Sequence, residues 1–208
     1  VSEDIQSGDI TSVLLPKKKI KAKIISRQDG VLAGIRFARE IFHLKGCSAR
    51  IMKKDGTRLK PNQVVLDVYG NAGTVLSCER TVLNLLSRMS GIATHTSLLI
   101  SKIRKINKKT NLYSTRKTAP GLRYFDKEAV KIGGGHKHRM ALDDMVMIKD
   151  NHLLVCNSME DIIKNARKRH KHVEVEVENQ KDAMLAVNCG AAIVMLDNFS
   201  PIQIKKTI

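Results

Sequence analysis

Over the first 90 positions, apolar residues recur in short alternating stretches. Positions 20–25 read Ile-Lys-Ala-Lys-Ile-Ile, and 64–68 form a second apolar run. Both predict strands. Asp29-Gly30, Asp55-Gly56, Gly70 and Gly73 punctuate the chain around them, as turn residues do. One helix is expected over 35–44, giving a small α+β domain. The period then changes. Val82, Leu85, Leu86 and Met89 repeat at helical spacing, 98–106 continues in kind, and Gly91 stands between. This predicts a pair of helices interrupted at Gly91 and linking two domains, 1–89 and 90–208.

From Tyr113 onward, strand, polar loop and helix repeat. Apolar runs at 112–114, 145–148, 173–177 and 191–196 predict strands. Ser158 is placed to cap a helix over 158–169, with Asp161 at its third helical position. Asn179 caps another reaching about Asn188, and Gly190 stops it. Strands alternating with helices imply parallel βαβ units.

The residues that follow these strands carry the chemistry. Arg116 and Lys117 follow the first, Lys149, Asp150 and Asn151 the second, and Asp197 and Asn198 the last. Parallel α/β sheets and barrels bind ligands at the carboxyl ends of their strands. Along 173–178 the valines point to one face and Glu174, Glu176 and Glu178 to the other. That acidic face is either a site wall, where the carboxylates need cationic partners, or the wet face of an edge strand. Gly133-Gly134-Gly135-His136-Lys137-His138-Arg139 is the densest cluster. Its glycines would let backbone amides approach an anion, and a flexible basic loop is the plainer alternative. The G-x-x-x-x-G-K-[ST] phosphate-loop spacing is absent. His136 and His138 could chelate a metal, but no third soft ligand is near in sequence.

Composition narrows the choice. The 208 residues are 42% hydrophobic but hold no Trp, 3 Tyr and 4 Phe, so Ile, Leu and Val must fill the core. Net charge is +17, from 37 Lys+Arg against 20 Asp+Glu. A solvated lysine surface, a nucleic-acid footprint and a site for small polyanions all fit that balance. Runs such as Lys17-Lys18-Lys19 and Lys53-Lys54 lack the aromatic neighbours that base stacking needs, which disfavours single-strand recognition. Cys47, Cys78, Cys156 and Cys189 form no CxxC pair. They read as free thiols in a reducing, cytoplasmic compartment. No apolar run approaches the ~18 residues of a membrane span, so no membrane partner is expected.

A series of motifs runs in order through the chain, opening with Glu3-Asp4 with Gly8-Asp9-Ile10-Thr11, Glu79-Arg80-Thr81 with Asn84-Leu85, and Ser90-Gly91-Ile92-Ala93-Thr94. Thr115-Arg116-Lys117-Thr118, Pro120-Gly121-Leu122-Arg123, Gly133-Gly134-Gly135 and His138-Arg139 come next. Ile148-Lys149-Asp150-Asn151-His152, Glu174-Val175-Glu176-Val177-Glu178 and Met195-Leu196-Asp197-Asn198 complete the series. Taken in this order, the motifs resemble the quinolinate phosphoribosyltransferase family, the carboxylating nicotinate-nucleotide pyrophosphorylases.

The resemblance implies an α/β fold, with a small N-terminal α/β sandwich followed by an incomplete α/β barrel. It implies transfer of phosphoribosyl from phosphoribosyl pyrophosphate to quinolinate with loss of CO2, yielding nicotinate mononucleotide and pyrophosphate for NAD synthesis. Arg116, His138 and Arg139 would hold the quinolinate dianion, with Arg80 reaching in from the other subunit of a homodimer. Lys117 and Lys149 would face the pyrophosphate. Glu176, Asp197 and Lys117 would form the catalytic set, with Mg2+ carried by the substrate near Glu176 and Asp197. The family barrel has further βα units beyond the Met-Leu-Asp-Asn strand, bearing the 5′-phosphate loops, so C-terminal units are expected to be missing. His136 and Lys137 have no evident role in the chemistry, and His152 either supports the phosphate side or caps a loop. Two other readings stay open: a transferase of the same fold with another acid, such as the molybdenum-associated relatives, and a non-catalytic basic anion-binding relative.

Overall fold

The alternation at 20–25 becomes β1 (Lys19–Ile25), in which Ile20, Ala22 and Ile24 turn inward and Lys19, Lys21 and Lys23 lie exposed. Part of the lysine excess is thus a solvated strand face. The computed structural model describes residues 1–156 and 158–208. The chain divides into two compact units, Val1–His138 and Arg139–Ile208.

In the first unit, a short helix α1 (Ser2–Ile5) and one 3-10 turn precede β1. Then come β2 (Gly30–Val31), α2 (Ile35–Leu44), β3 (Ser48–Ile51), β4 (Arg58–Leu59) and β5 (Val64–Asn71). β1, β5 and β3 form an antiparallel sheet with β5 central, and β2 pairs with β4. The apolar stripe of α2 (Ile35, Ala38, Phe42) packs on Leu66 and Val68 of β5.

Helix α3 (Ala72–Ile106) closes this core. Asn71 caps it by accepting from the Gly73 amide at 3.0 Å. Val75, Cys78, Val82, Leu86, Met89, Ala93 and Thr96 make one buried stripe at intervals of three and four. The expected break at Gly91 does not occur. Glycine costs a helix only about 1 kcal/mol relative to alanine. Met89 and Ala93, both fully buried, carry the stripe across it. Ala93 and Met89 pack with Val31, Ala33 and Ala129, the last on α4 (Arg123–Ile132). The expected strand at 112–114 reduces to a single parallel bridge between Tyr113 and His136.

The second unit bears out the βαβ pattern. β6 (Val146–Ile148), α5 (Asp150–Val155), α6 (Met159–Arg169), β7 (Val173–Val177), α7 (Gln180–Asn188), β8 (Ile193–Leu196) and α8 (Pro201–Thr207) follow in order. The three strands are parallel in the order β6-β7-β8. Ser158 and Asn179 cap α6 and α7 as their side chains predict, accepting from Asp161 and Asp182 amides. Val173, Val175 and Val177 pack with Ile148, Ile163, Ala183 and Ala186. β7 is therefore a central strand, and the edge-strand alternative for its acidic face falls.

Candidate active site

The residues of the first unit expected to bind anions hang on two loops tied together. The His136 amide donates to Leu112 O at 2.8 Å and the Ser114 amide to His136 O at 2.9 Å. The Tyr113 ring stacks on His136 at 4.9 Å and meets His138 edge-on at 6.3 Å. Ser114 Oγ donates to Lys137 O at 2.6 Å. Lys137 reaches back to Glu128, which also pairs with Arg36 at 3.3 Å. Burial pushes the Glu128 carboxyl up, but the hydrogen bond and charge of Lys137, with Arg36, leave it below its ordinary value. His136 and Lys137, without evident chemistry in the sequence, are the loop's anchors.

Arg116 is half-buried, and its Nε has no hydrogen-bond partner. Among the described residues only Asp67 Oδ1 shares that condition. Buried polar atoms are nearly always paired, so a guanidinium N–H held out of water marks a place for an acceptor. Lys117 is exposed and lines a pocket of ≈ 280 Å³ with Ser114, Thr115, Thr118, Arg88, Asp126 and Lys127. In its wall Arg88 grips Asp126 bidentately, Nε at 2.7 Å and Nη2 at 2.8 Å. The Asp126 hydrogen bond raises the already high pKa of Arg88.

The glycine triplet does not work as expected. The amides of Gly133, Gly134 and Gly135 donate to Ala129 O, Lys131 O and Val130 O. They are spent on ending α4 and cannot cradle an anion. The missing side chains serve packing instead. A Cβ on Gly133 would stand 2.5 Å from Ala93 O, and one on Gly135 would stand 2.7 Å from Val130 Cγ1. Gly133 lets the end of α4 press against the backbone of α3, and Gly135 leaves room for the Val130 side chain.

Arg80 sits apart from Lys117. It is exposed on α3, on the rim of a separate cleft of ≈ 890 Å³ between α3 and β1, together with Glu79, His95 and Arg27.

In the second unit, strand register assembles the site residues. Ile148 pairs with Val175, and Glu176 with Met195. Lys149 and Glu176 thus end neighbouring strands, and Lys149 Nζ lies 2.6 Å from Glu176 Oε2. Asp197 follows β8 by one residue, and its amide donates to Val177 O at 2.9 Å. By alternation it continues the face of Met195 and Glu176. Its Oδ2 accepts from Asn198 Nδ2 at 2.9 Å. Glu174, one step deeper on that face, is fully buried. Arg139 is buried too, with Nη1 donating to Met145 O at 3.3 Å. His152 takes the capping role: its Nδ1 accepts from the Lys149 amide at 3.0 Å at the start of α5.

Among the described residues no group of three or more His, Cys, Asp or Glu is placed to hold a metal ion. No helix among them is long and apolar enough to cross a membrane. The cysteines are free, with Cys47, Cys78 and Cys189 buried. Arg88, Asp126 and Lys127 carry no local signal in the sequence. A run of three charged residues, Asp126-Lys127-Glu128, looks like a solvated helix face, yet all three are buried.

Residues 9–90 match the profile of the quinolinate phosphoribosyl transferase N-terminal domain, and residues 92–208 that of its C-terminal domain. A probable carboxylating nicotinate-nucleotide pyrophosphorylase of Archaeoglobus fulgidus is 43% identical over 97% of this chain and 77% of its own length. Its counterpart in Methanothermobacter thermautotrophicus is 42% identical over 100% of this chain and 76% of its own. The solved nicotinate-nucleotide pyrophosphorylase of Francisella tularensis superposes with a TM-score of 0.92 at 36% identity, covering 99% of this chain and 74% of that one. This chain spans about three quarters of each relative. With both domain profiles matched in sequence and relatives 43% and 42% identical over nearly the whole chain, the chain belongs to the quinolinate phosphoribosyl transferase family.

Proposed function

We propose that this protein is a carboxylating nicotinate-nucleotide pyrophosphorylase of NAD biosynthesis. It joins quinolinate to phosphoribosyl pyrophosphate and releases nicotinate mononucleotide, pyrophosphate and CO2. The observation that carries the reading is the unpartnered, buried Nε of Arg116. Quinolinate carries two adjacent carboxylates, which planar guanidinium forks match bidentately. Arg116, His138 and Arg139 are assigned to this dianion. Arg80, on the rim of a separate cleft, is assigned to the neighbouring site of a homodimer.

Lys117 and Lys149 are assigned to the pyrophosphate, where hydrogen bonds to charged groups contribute roughly 1.5–3 kcal/mol each. The quinolinate ring nitrogen forms a bond to the anomeric carbon as the bond to pyrophosphate breaks, its electrons leaving with that group. The sugar passes through a cation-like state, which nearby fixed carboxylates stabilise. Glu176 and Asp197 fill that role, and the Lys149 contact fixes where the Glu176 carboxylate stands. The ring bond to the carboxylate beside the nitrogen then breaks. CO2 departs, the electron pair stays on the ring carbon beside the positive nitrogen, and that carbon takes a proton. Two carboxylates without a protein cage suit Mg2+, which usually binds through one or two carboxylates plus substrate phosphates. When bound it would neutralise charge on the leaving pyrophosphate.

The test is to supply quinolinate labelled in the carboxylate beside the nitrogen, with phosphoribosyl pyrophosphate and Mg2+. Labelled CO2 and nicotinate mononucleotide should appear together. Turnover of nicotinate in place of quinolinate, without CO2, would identify a relative with a different acid. A folded protein that binds neither substrate would overturn the assignment.

A further inference from the structure

Lys127 is the largest side chain among the described residues to be wholly buried. A buried ammonium is costly unless it is compensated. Part of the compensation is visible: Nζ donates to the main-chain oxygen of Lys137. Ser114 Oγ donates to the same oxygen at 2.6 Å. That carbonyl belongs to the peptide leading into His138. Because a peptide is planar, two donors on its oxygen also set the direction of the His138 N–H, and with it the axis about which φ turns. His138 has a φ of 51°. Non-glycine residues enter that left-handed region at a cost and stay where the surroundings impose it. The neighbouring anchors agree. The Lys137 side chain is tied to Glu128, and His136 is stacked on Tyr113. Every position before His138 in this loop is held, and the His138 ring is what the held backbone aims.

We propose that Lys127 is a positioning residue for the acid site: with Ser114 it locks the Lys137–His138 peptide and so orients the His138 ring toward a bound pyridine dicarboxylate. The inference rests on the reading that His138 binds the acid.

Three variants test it. Lys127→Met keeps the apolar stem and removes the donor, Lys127→Arg restores a cationic donor, and Ser114→Ala removes the second donor. The His138 ring resonances, assigned with His138→Gln, are read by 15N NMR without ligand. Binding of quinolinate and of phosphoribosyl pyrophosphate is measured separately by calorimetry. The ring signals should move in Lys127→Met and, by less, in Ser114→Ala. Quinolinate affinity should fall about tenfold in Lys127→Met, since small displacements of a binding group carry penalties of this size. Phosphoribosyl pyrophosphate affinity should hold within about twofold, and Lys127→Arg should recover most of the loss.

Unmoved His138 signals in both variants would overturn the proposal. So would an equal loss of affinity for both substrates, which marks plain scaffolding. If the ring signals move but the unmodified protein has no affinity for quinolinate, positioning stands and the choice of acid falls. Should Lys127→Met fail to fold, Ser114→Ala decides by the same two readouts.

Discussion

Lys149 Nζ and Glu176 Oε2 meet at 2.6 Å where two neighbouring parallel strands end. Under the proposed reaction the two meet opposite charges: Lys149 an anion, and Glu176 the positive charge that develops on the sugar. Glu176→Gln preserves shape and hydrogen bonding but removes the negative charge. Turnover should fall roughly 10²–10³-fold, the usual cost of losing a group aimed at transition-state charge. Quinolinate affinity should change by less than about threefold. Steady-state kinetics beside calorimetry separates the two, and unchanged turnover would remove Glu176 from the chemistry.

Arg116→Lys keeps the charge and loses the fork, including the unpartnered Nε. Quinolinate binding should weaken roughly tenfold or more, with phosphoribosyl pyrophosphate binding nearly unchanged. Equal affinity for quinolinate in the variant would mean that the orphan N–H serves some other acceptor.

Gly133 and Gly91 should respond to alanine with opposite signs. A Cβ on Gly133 meets Ala93 O at 2.5 Å, and backbone cannot step aside cheaply. Gly133→Ala should cost about 1–3 kcal/mol. A Cβ on Gly91 meets nothing within 4 Å. Gly91→Ala should gain about 0.5–1 kcal/mol, because the site is helical and the unfolded chain loses freedom. Urea midpoints report both, and a destabilised Gly91→Ala would show that open space there is needed.

Acid should weaken the protein partly through Asp9. Its carboxylate accepts from Ser12 Oγ at 2.6 Å, from the Ser12 amide at 3.0 Å and from Ser77 Oγ at 2.7 Å. These bonds lower its pKa from 3.8 to about 2. A carboxylate with a depressed folded-state pKa stabilises the fold above its unfolded pKa, and that contribution fades as pH falls through the folded value. The loss should lie between pH 3.8 and about 2. Asp9→Asn should show a flatter decline in urea midpoint across that window. A parallel decline in both proteins would remove Asp9 from the acid response.

Much of this fold could be read from the chain because its signals are local. Alternation at 20–25 and 173–177, and caps at Ser158 and Asn179, depend on residues within one turn or one pleat. The strand-end positions of Lys149 and Asp197, and the shared face of Glu174 and Glu176, followed from the same periodicity. What could not be read depends on distant partners. Gly91 lies inside a helix because a stripe along α3 buries both its flanks. The amides of Gly133–Gly135 are consumed by α4, which no count of glycines reveals. Lys127 reads as a surface residue in any composition-based view. One partner that goes with its burial is the Lys137 carbonyl, ten residues on and outside the helix.

Helix α3 has a consequence for how such proteins can be recombined. The two family profiles meet at residues 90 and 92, in mid-span of a rod of 35 residues about 50 Å long. A chimera joined there would unite two half-helices whose seam is lined by Met89 and Ala93, both fully buried against Val31 and Ala129. The unit of inheritance and the unit of stiffness do not coincide. Exchange between relatives at that junction should succeed only when Val31, Met89, Ala93 and Ala129 travel together as a matched set.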